Sequence, residues 1–253
     1  MEFVKMEGLG NDFVVVDGPA EVGPDEVRRW CDRRLGIGAD GVLEITSLAT
    51  DRVRMRYWNA DGGAAEMCGN GLRCVALLAH LRGWVDQPDF IVATAVGDRP
   101  VHVGDDGMVR ALLGTASTTD DTPIAAHGLD LYRVDVGNPH AVTIVDDTRS
   151  APVTELGPRI EVDERFPEGT NVEFAAVTGP DRIALRVWER GVGETQACGT
   201  GAAATAFVGH HLGLTGRRVT VDLLGGPLVV DIEEAGDAWI EGPARAVFTG
   251  TVD

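Results

Sequence analysis

Lysine is nearly missing from this chain of 253 residues, because Lys5 is the only one. A pyridoxal-phosphate enzyme needs a lysine for its Schiff base, and Lys5 lies in a strand-like run near the N-terminus, where we do not expect that role. Metal-ligand patterns are missing as well: the six histidines show no ligand spacing, and neither His-Glu-x-x-His nor paired Cys-x-x-Cys occurs. We therefore expect no cofactor and no metal.

Positive charge and long apolar runs are also scarce. A net charge of −18 without a basic patch argues against nucleic acid and anionic membranes as partners. No apolar run is long enough to span a bilayer, and the first segment, MEFVKMEGLGND, lacks the features of a signal peptide. We predict a globular, cytoplasmic protein that acts on a small molecule, and the sequence is compatible with a homodimer.

The chain has four cysteines, too few and too widely spaced for a disulfide framework, so free thiols in a reducing compartment are expected. Two of them lie in similar segments, EMCGNGLRC around Cys68 and QACGTGAAA around Cys198. Cys31 and Cys74 have no such counterpart. We interpret those two as core residues.

The two cysteine segments belong to a longer internal repeat. Cys198 follows Cys68 by 130 residues, and the same offset pairs Arg56 with Arg186 and Trp58 with Trp188 without a gap. A weaker match, at an offset of 127, joins GNDFVVVD after Leu9 to GNPHAVTIVD after Val136. Two matches in the same order at nearly the same offset favour a duplicated unit.

The pattern of apolar residues predicts a mixed fold. Strands are predicted at 12–17, 52–58, 90–96, 141–146, 182–188 and 227–232. Helices at 72–83 and 202–213 are apolar nearly all round, which is typical of helices buried on every side; 25–36 is predicted as a surface helix. We expect an α/β (α+β) fold of two pseudo-symmetric domains, each a curled β-sheet around a central buried helix, with the active site in the cleft between them.

The position of the cysteines at a helix start indicates their chemistry. Small residues leave the first N–H groups of the helix open to bind a carboxylate, and a helix N-terminus lowers a thiol pKa from about 8.5 toward roughly 3.5–7.5. Two such sites facing one substrate would put a sulfur on each side of its α-carbon. One thiolate would remove the α-proton while the opposite thiol donates another, which is a two-base racemisation without a cofactor. We expect the halves to close over the substrate.

Six segments then resemble a known family. These are KMEGLGNDFVVVD (5–17), GIGADGVL (36–43), NADGGAAEMCGNGLRC (59–74), GNPHAV (137–142), TNVEF (170–174) and ERGVGETQACGTGAAA (189–204). In this order they look like the diaminopimelate epimerases, pyridoxal-phosphate-independent isomerases of lysine and cell-wall biosynthesis. The resemblance implies that Cys68 and Cys198 interconvert LL- and meso-diaminopimelate. We expect domains at 1–115 and at 116–241, and the resemblance implies that the tail, 242–253, returns to the first.

The resemblance also implies a substrate pocket. Its predicted residues are Asn11, Asn59, Gly69, Asn70, Asn138, Asn171, Glu189, Arg190, Gly199 and Thr200, with His140 in second rank. The residues after each cysteine would bind the reacting carboxylate, whereas Arg190 would bind the distal carboxylate and Glu189 the distal ammonium. Glu189 and Arg190 match Asn59 and Ala60 in the first repeat, so the acid–base pair is symmetric while the pocket is not.

The sequence leaves alternatives open. Family members commonly carry Ser-Glu where this chain has Gly63 and Ala64, and related cofactor-independent racemases act on other amino acids, such as histidine. A thiol redox sensor that joins Cys68 and Cys198 in a reversible disulfide, or a binding protein that holds an amino acid at the two helix starts, would also use this pattern. The asparagines could be turn residues, and Glu189 with Arg190 a surface ion pair.

Overall fold

A computed structural model describes residues 1–118, 120 and 122–252. The chain divides into two compact units, Met1–Ala111 with Gly242–Asp253, and Leu112–Glu241. The boundary expected after residue 115 lies four residues beyond this division. No helix in the described ranges is long and apolar enough to cross a membrane.

The same order of elements, β-β-α-β-β-β-α-β-β-β, occurs twice. The first copy is β1 (Glu2–Gly8), β2 (Asn11–Asp17), α1 (Pro24–Cys31), β3 (Gly41–Ala49), β4 (Arg52–Asn59), β5 (Ala64–Ala65), α2 (Gly69–Leu81), β6 (Asp89–Thr94), β7 (Gly97–Val103) and β8 (Met108–Thr115). After β9 (Ile124–Ala126), the second copy is β10 (Leu129–Asp135), β11 (Pro139–Ile144), α3 (Val153–Glu161), β12 (Asn171–Gly179), β13 (Arg182–Glu189), β14 (Gly193–Glu194), α4 (Gly199–His211), β15 (Arg218–Leu223), β16 (Gly226–Ile232) and β17 (Asp237–Pro243). A final strand, β18 (Arg245–Thr251), pairs with β1.

Strand pairing repeats together with the order of elements. β2 runs parallel to β3, as β11 does to β12, and β4 runs parallel to β6, as β13 does to β15. Phe13 pairs with Gly41 in the first copy, and His140 pairs with Asn171 at the corresponding place in the second. The repeat read from the sequence is therefore confirmed as a structural repeat.

Each copy wraps its strands around one buried helix. α2 contacts β1, β2, β3, β4, β7 and β18, and α4 contacts β10, β11, β12, β13, β15 and β16. Every residue of α2 from Gly69 to Ala79 is buried, and only the last residues reach solvent. Leucine, alanine and glycine on all sides of these helices leave no polar face for solvent, so the expected central helix is confirmed in both copies.

Both central helices begin three residues earlier than predicted, at Gly69 and Gly199 rather than at 72 and 202. The prediction treated the glycines as a turn before the helix. In the structure the cysteine itself is the last extended residue, and the carbonyl of Cys68 already accepts from Leu72 N–H at 2.8 Å. Gly83 (φ 64°) and Gly213 (φ 68°) follow the ends of the helices in left-handed conformation.

Other boundaries differ by a few residues. The surface helix α1 ends at Cys31 instead of continuing to residue 36, because Asp32 leaves the helical conformation (φ −59°, ψ 121°). β6 ends at Thr94, since the next residues turn toward Gly97 with φ 103°. α3 was not predicted from the sequence.

Replacement of Gly157 by alanine tests the packing of the second copy. An added Cβ would lie 2.6–2.8 Å from the Trp188 side chain, so Gly157→Ala should lower the free energy of unfolding by about 1–3 kcal/mol. Thr154→Ala changes an exposed residue of the same helix and should have an effect within about 0.5 kcal/mol. Denaturant unfolding measures both, and equal stability of the two variants would contradict this packing.

Candidate active site

Cys68 and Cys198 are the N-cap residues of the two buried helices. Their backbones are extended (φ −140°, ψ 122° and φ −120°, ψ 112°), the conformation that places an N-cap side chain beside the N–H groups of the first turn. Gly69 and Asn70 form one first turn, and Gly199 and Thr200 the other. Both cysteines are free thiols in the described structure.

The third helical residue is glycine in both copies because a neighbouring strand packs against it. A Cβ on Gly71 would lie 3.1 Å from Leu43 Cδ2, and a Cβ on Gly201 would lie 2.8 Å from Glu173 Oε1. Leu43 and Glu173 are 130 residues apart, the offset of the repeat. The two copies therefore place different chemistry, an apolar side chain and a carboxyl group, beneath equivalent helix starts.

In the first unit, two of the predicted asparagines lie beside Cys68. Cys68 Sγ donates to Asn11 Oδ1 at 3.6 Å, and Asn70 Nδ2 donates to the same oxygen at 3.2 Å. Asn11 Nδ2 in turn donates to Asp40 Oδ2 at 2.7 Å. Asn59 is different: it lies exposed at the end of β4, and its described hydrogen bonds are backbone bonds with Gly62 and Gly63.

Asp40, the hydrogen-bond acceptor of Asn11, belongs to a cluster of charged side chains. The Asp12 carboxylate forms an ion pair with Lys5 Nζ at 2.6 Å and accepts hydrogen bonds from Nη1 and Nη2 of Arg33. Arg33 also pairs with Asp40 at 2.7 Å. Burial alone would raise the pKa of Asp12, but hydrogen bonds from Arg33 and Lys5 lower it to about 2. The one lysine of the chain thus has a structural role, and it also donates to Gly38 O.

In the second unit, the sulfur of Cys198 meets hydrogen-bond donors. Gly201 N–H donates to Sγ at 3.4 Å, and the Thr200 hydroxyl lies 3.5 Å away. Burial nevertheless raises the pKa of Cys198 well above its usual range, and Glu189 and Glu173 raise it further, while Thr200 and Gly201 oppose them. The expected lowering of the thiol pKa is therefore wrong for Cys198, because desolvation and two nearby carboxyl groups outweigh the helix start.

A chain of polar side chains runs from Thr200 into the core. Asn138 Nδ2 donates to Thr200 Oγ1 at 3.5 Å, and Asn138 Oδ1 lies 3.0 Å from His140 Nε2. His140 Nδ1 is 2.7 Å from Glu173 Oε1, and both of these side chains are fully buried. Burial has the largest effect on the pKa of Glu173 and raises it, whereas the charge and hydrogen bond of His140 act to lower it. Asn138 and His140 thus lie in the network of Cys198.

Sequence reasoning missed Glu173. Glu173 is the innermost residue of the row of polar side chains that starts at Thr200. Its second oxygen, Oε2, is buried without a hydrogen-bond partner among the described residues. The available signal was its position, because an acid inside the apolar run NVEFAAV belongs to a buried strand and needs a partner. That partner, His140, is 33 residues away in sequence.

The other predicted residues of the second unit meet at the end of β13. Asn171 Nδ2 donates to Pro139 O at 3.0 Å, and its Oδ1 accepts from Arg190 N–H at 3.0 Å. Glu189 accepts from Thr195 Oγ1 at 2.5 Å, and the exposed side chain of Arg190 donates to Glu168 O at 2.8 Å. These residues form a polar edge at the end of β13, where Nη1 is the guanidinium nitrogen of Arg190 with a described hydrogen bond.

At Gly63 and Ala64 this chain lacks the Ser-Glu pair that is common in the resembled family, and the second repeat shows what a glutamate does at the equivalent place. Ala64 corresponds to Glu194, whose carboxylate accepts from Arg186 at 2.7 Å. Arg56, the counterpart of Arg186, instead bonds Glu44 at 3.3 Å and lies 4.7 Å above the Trp58 ring. A different carboxylate therefore pairs with the first-copy arginine in this chain.

Solved structures share this architecture at low sequence identity. The chain matches a probable proline racemase from Agrobacterium radiobacter with TM-score 0.74 at 17% identity, over 100% of this chain and 92% of that one. A hydroxyproline epimerase from Agrobacterium vitis matches with TM-score 0.77 at 15% identity, over 99% and 91%. The repeated fold is therefore shared with structures described as a probable proline racemase and a hydroxyproline epimerase.

Sequence relatives define the family within that fold. The profile of the diaminopimelate epimerase family matches residues 3–119 and 132–247. The diaminopimelate epimerase of Desulforudis audaxviator is 44% identical over 99% of this chain and 98% of its own length, and that of Thioalkalivibrio sulfidiphilus is 42% identical over 100% and 99%. The chain belongs to the diaminopimelate epimerase family.

The ionic cluster predicts an acid dependence of stability. Because the folded pKa of Asp12 is about 2 and its unperturbed value is 3.8, its contribution is fully present above pH 4 and is lost as the pH falls toward 2. Asp12→Asn should therefore destabilise the protein most above pH 4, and the difference from the parent should shrink between pH 4 and 2. Asp105→Asn, an exposed control, should show no such convergence in urea unfolding.

The surroundings of Cys198 predict its reactivity. Because Glu189 contributes to the raised pKa of this thiol, Glu189→Gln should move the midpoint of Cys198 alkylation to lower pH. Iodoacetamide labelling, read peptide by peptide by mass spectrometry, measures this midpoint. Glu164→Gln removes an exposed carboxylate and should leave it unchanged; an unmoved midpoint in Glu189→Gln would contradict the assignment.

Proposed function

We propose that this protein interconverts LL- and meso-diaminopimelate without a cofactor, with Cys68 and Cys198 as the two acid–base groups. The observation that carries the proposal is the duplicated N-cap cysteine: two thiols, at equivalent starts of two buried helices, in a chain of the diaminopimelate epimerase family. A single such cysteine would be unremarkable as a packing residue. A matched pair is what a reaction with opposite proton transfers at one carbon requires.

The proposed reaction balances with two protons. One cysteine, as thiolate, takes the α-proton and becomes a thiol, while the other, as thiol, gives its proton to the opposite face of the carbon and becomes a thiolate. Because an epimerase works in both directions, each sulfur is acid in one direction and base in the other. The raised pKa of Cys198 supports its being the proton donor when the free protein first meets substrate.

The first helical turns supply the electrostatic part. An α-proton next to a carboxylate and an ammonium is weakly acidic, so charge that develops on the carboxylate must be stabilised. We assign this to backbone N–H groups of Gly69 and Asn70 in one unit and of Gly199 and Thr200 in the other. Gly69 and Gly199 carry no side chain that would cover these donors.

Recognition of the far end of the substrate falls to the second unit. Arg190 suits a carboxylate and Glu189 an ammonium; on the polar edge Arg190 N–H donates to Asn171 Oδ1, and Glu189 accepts from Thr195 Oγ1. Their first-copy counterparts, Asn59 and Ala60, carry no charge. This asymmetry fits a substrate with one reacting end and one recognised end, which separates diaminopimelate from amino acids without a second carboxylate.

The proposal is tested by exchange with solvent. LL-diaminopimelate incubated with the protein in D₂O should give meso product with deuterium at the inverted carbon, whereas early unreacted substrate should keep its hydrogen. Cys68→Ser and Cys198→Ser should each reduce turnover by about 10²-fold or more, with Cys31→Ser as an active control. Absence of deuterium in the product, or full activity of either active-site variant, would refute the proposal.

The substrate is tested with a panel. Arg190→Met should raise KM for diaminopimelate about tenfold or more, because a charge-assisted bond to the distal carboxylate is lost, and should leave any slow turnover of histidine or proline unchanged. Faster turnover of one of those amino acids than of diaminopimelate by the parent protein would assign a different racemase.

A further inference from the structure

Arg73 is a fully buried arginine that the proposed reaction does not use. It lies in the second turn of α2, with no side-chain exposure to solvent. Its three nitrogens donate to Asn70 Oδ1 at 2.8 Å, to Pro243 O at 3.3 Å and to Gly69 O at 3.4 Å. All three acceptors are neutral, and in the described part of the chain no carboxylate forms an ion pair with Arg73.

The rest of the fold makes room for this side chain. Gly8 on β1 has no Cβ, and an added one would lie 3.3 Å from Arg73 Nη2. The counterpart of Arg73 in the second copy is Ala203, a buried small residue. Only the first of the two equivalent helices therefore contains a guanidinium near its cysteine, so the buried charge does not follow from the shared fold.

Arg73 begins a hydrogen-bonded chain that ends at Asp40. Arg73 Nη2 donates to Asn70 Oδ1, Asn70 Nδ2 donates to Asn11 Oδ1 at 3.2 Å, and Asn11 Nδ2 donates to Asp40 Oδ2 at 2.7 Å. A guanidinium can only donate and an ionised carboxylate can only accept. The two ends thus fix the orientation of both amides, which side-chain shape alone would leave open.

The fixed orientation of the Asn11 amide determines which of its atoms lies beside the sulfur of Cys68. Asn11 Oδ1, an acceptor, faces Cys68 Sγ at 3.6 Å, which favours the thiol. The cation of Arg73 and the start of α2 favour the thiolate. These two influences oppose each other at a group that the proposed reaction uses as acid in one direction and as base in the other.

We propose that Arg73 is a positioning residue for Cys68, which holds the amides of Asn70 and Asn11 in place and supplies the buried positive charge beside the sulfur. This inference rests on the proposed role of Cys68. Burial lowers the pKa of Arg73, and the titratable groups that oppose this effect are Cys74 on α2, the N-cap residue Cys68 and Glu7 on β1. Burial raises the pKa of Cys74, which keeps that thiol neutral, and Glu7 pairs with Arg245 at 3.0 Å.

Arg73 and Asp40, the two ends of the hydrogen-bonded chain, should have opposite effects on the pH midpoint of Cys68 alkylation. In Arg73→Met the cation is lost while Asp40 still holds Asn11, so the midpoint of Cys68 alkylation should rise by about one pH unit, a tenfold change in thiolate fraction. In Asp40→Ala the amide of Asn11 is released and a negative charge is lost, so the midpoint should fall. The measurement is the pH profile of iodoacetamide labelling at the Cys68 peptide, with the Cys198 peptide as internal reference.

Two variants make the result specific. Arg73→Lys keeps the charge and should restore most of the midpoint. Arg82→Met removes an arginine from the other end of the same helix, where it pairs with Asp17, and should leave the midpoint unchanged. An unmoved midpoint in folded Arg73→Met, or an equal shift in Arg82→Met, would overturn the proposal.

Two further outcomes separate possible failures. If Arg73→Met does not fold, Asp40→Ala decides, and a midpoint that stays or rises there overturns the proposal. Turnover of Cys68→Ser is measured alongside: full activity would refute the proposed role of Cys68 in catalysis, whereas the alkylation profile still reports on the action of Arg73 on the sulfur.

Discussion

Each half of this protein depends on one constraint: a helix buried on every side must begin inside the protein, where its first N–H groups have no water to bind. Glycine and other small residues let strands approach this helix start, and an extended cysteine precedes it. The first-turn N–H groups, which suit a ligand with negative charge, then lie next to a sulfur, and Gly201 N–H itself donates to Cys198 Sγ. The chain meets this constraint twice, at Cys68 and at Cys198.

The two copies share their backbone but not their buried charge. Beneath Cys198 lies the His140–Glu173 pair, at positions where the first copy has Phe13 and Leu43, which are apolar. Beside Cys68 lies Arg73, where the second copy has Ala203. Duplication thus explains why there are two thiols, and later divergence explains why their surroundings differ. An isomerase that distinguishes two stereoisomers of its substrate can use both properties.

The sequence was sufficient for features that the repeat makes visible. Both cysteines, both buried helices and the repeated α/β architecture follow from matched motifs at one offset and from apolar residues on all helix faces. The electrostatics of the site did not follow, because it depends on contacts that are distant in sequence. Burial raises the pKa of Cys198, and Glu189 at the end of β13 and Glu173 on β12 raise it further, so the helix start alone suggested the wrong direction.

Arg73 and Lys5 show the same limit. In the sequence, Arg73 is one polar residue in an apolar helix, and only the positions of Gly8, Asn70 and Pro243 show that it is enclosed. The sequence shows only that Lys5 is the single lysine. Its ion pair with Asp12 is visible only in the structure. Contacts between strands and helix starts, rather than local pattern, determine these roles.

The central claim is that the two sulfurs serve opposite faces of one carbon, and single alanine variants test it most directly. With one sulfur removed, the remaining one can still exchange an α-hydrogen with solvent but cannot invert the centre. In D₂O, Cys68→Ala and Cys198→Ala should therefore each exchange the α-hydrogen of only one configuration, and of opposite configurations, with retention. Exchange of the same configuration by both variants, or inversion by either, would contradict the account.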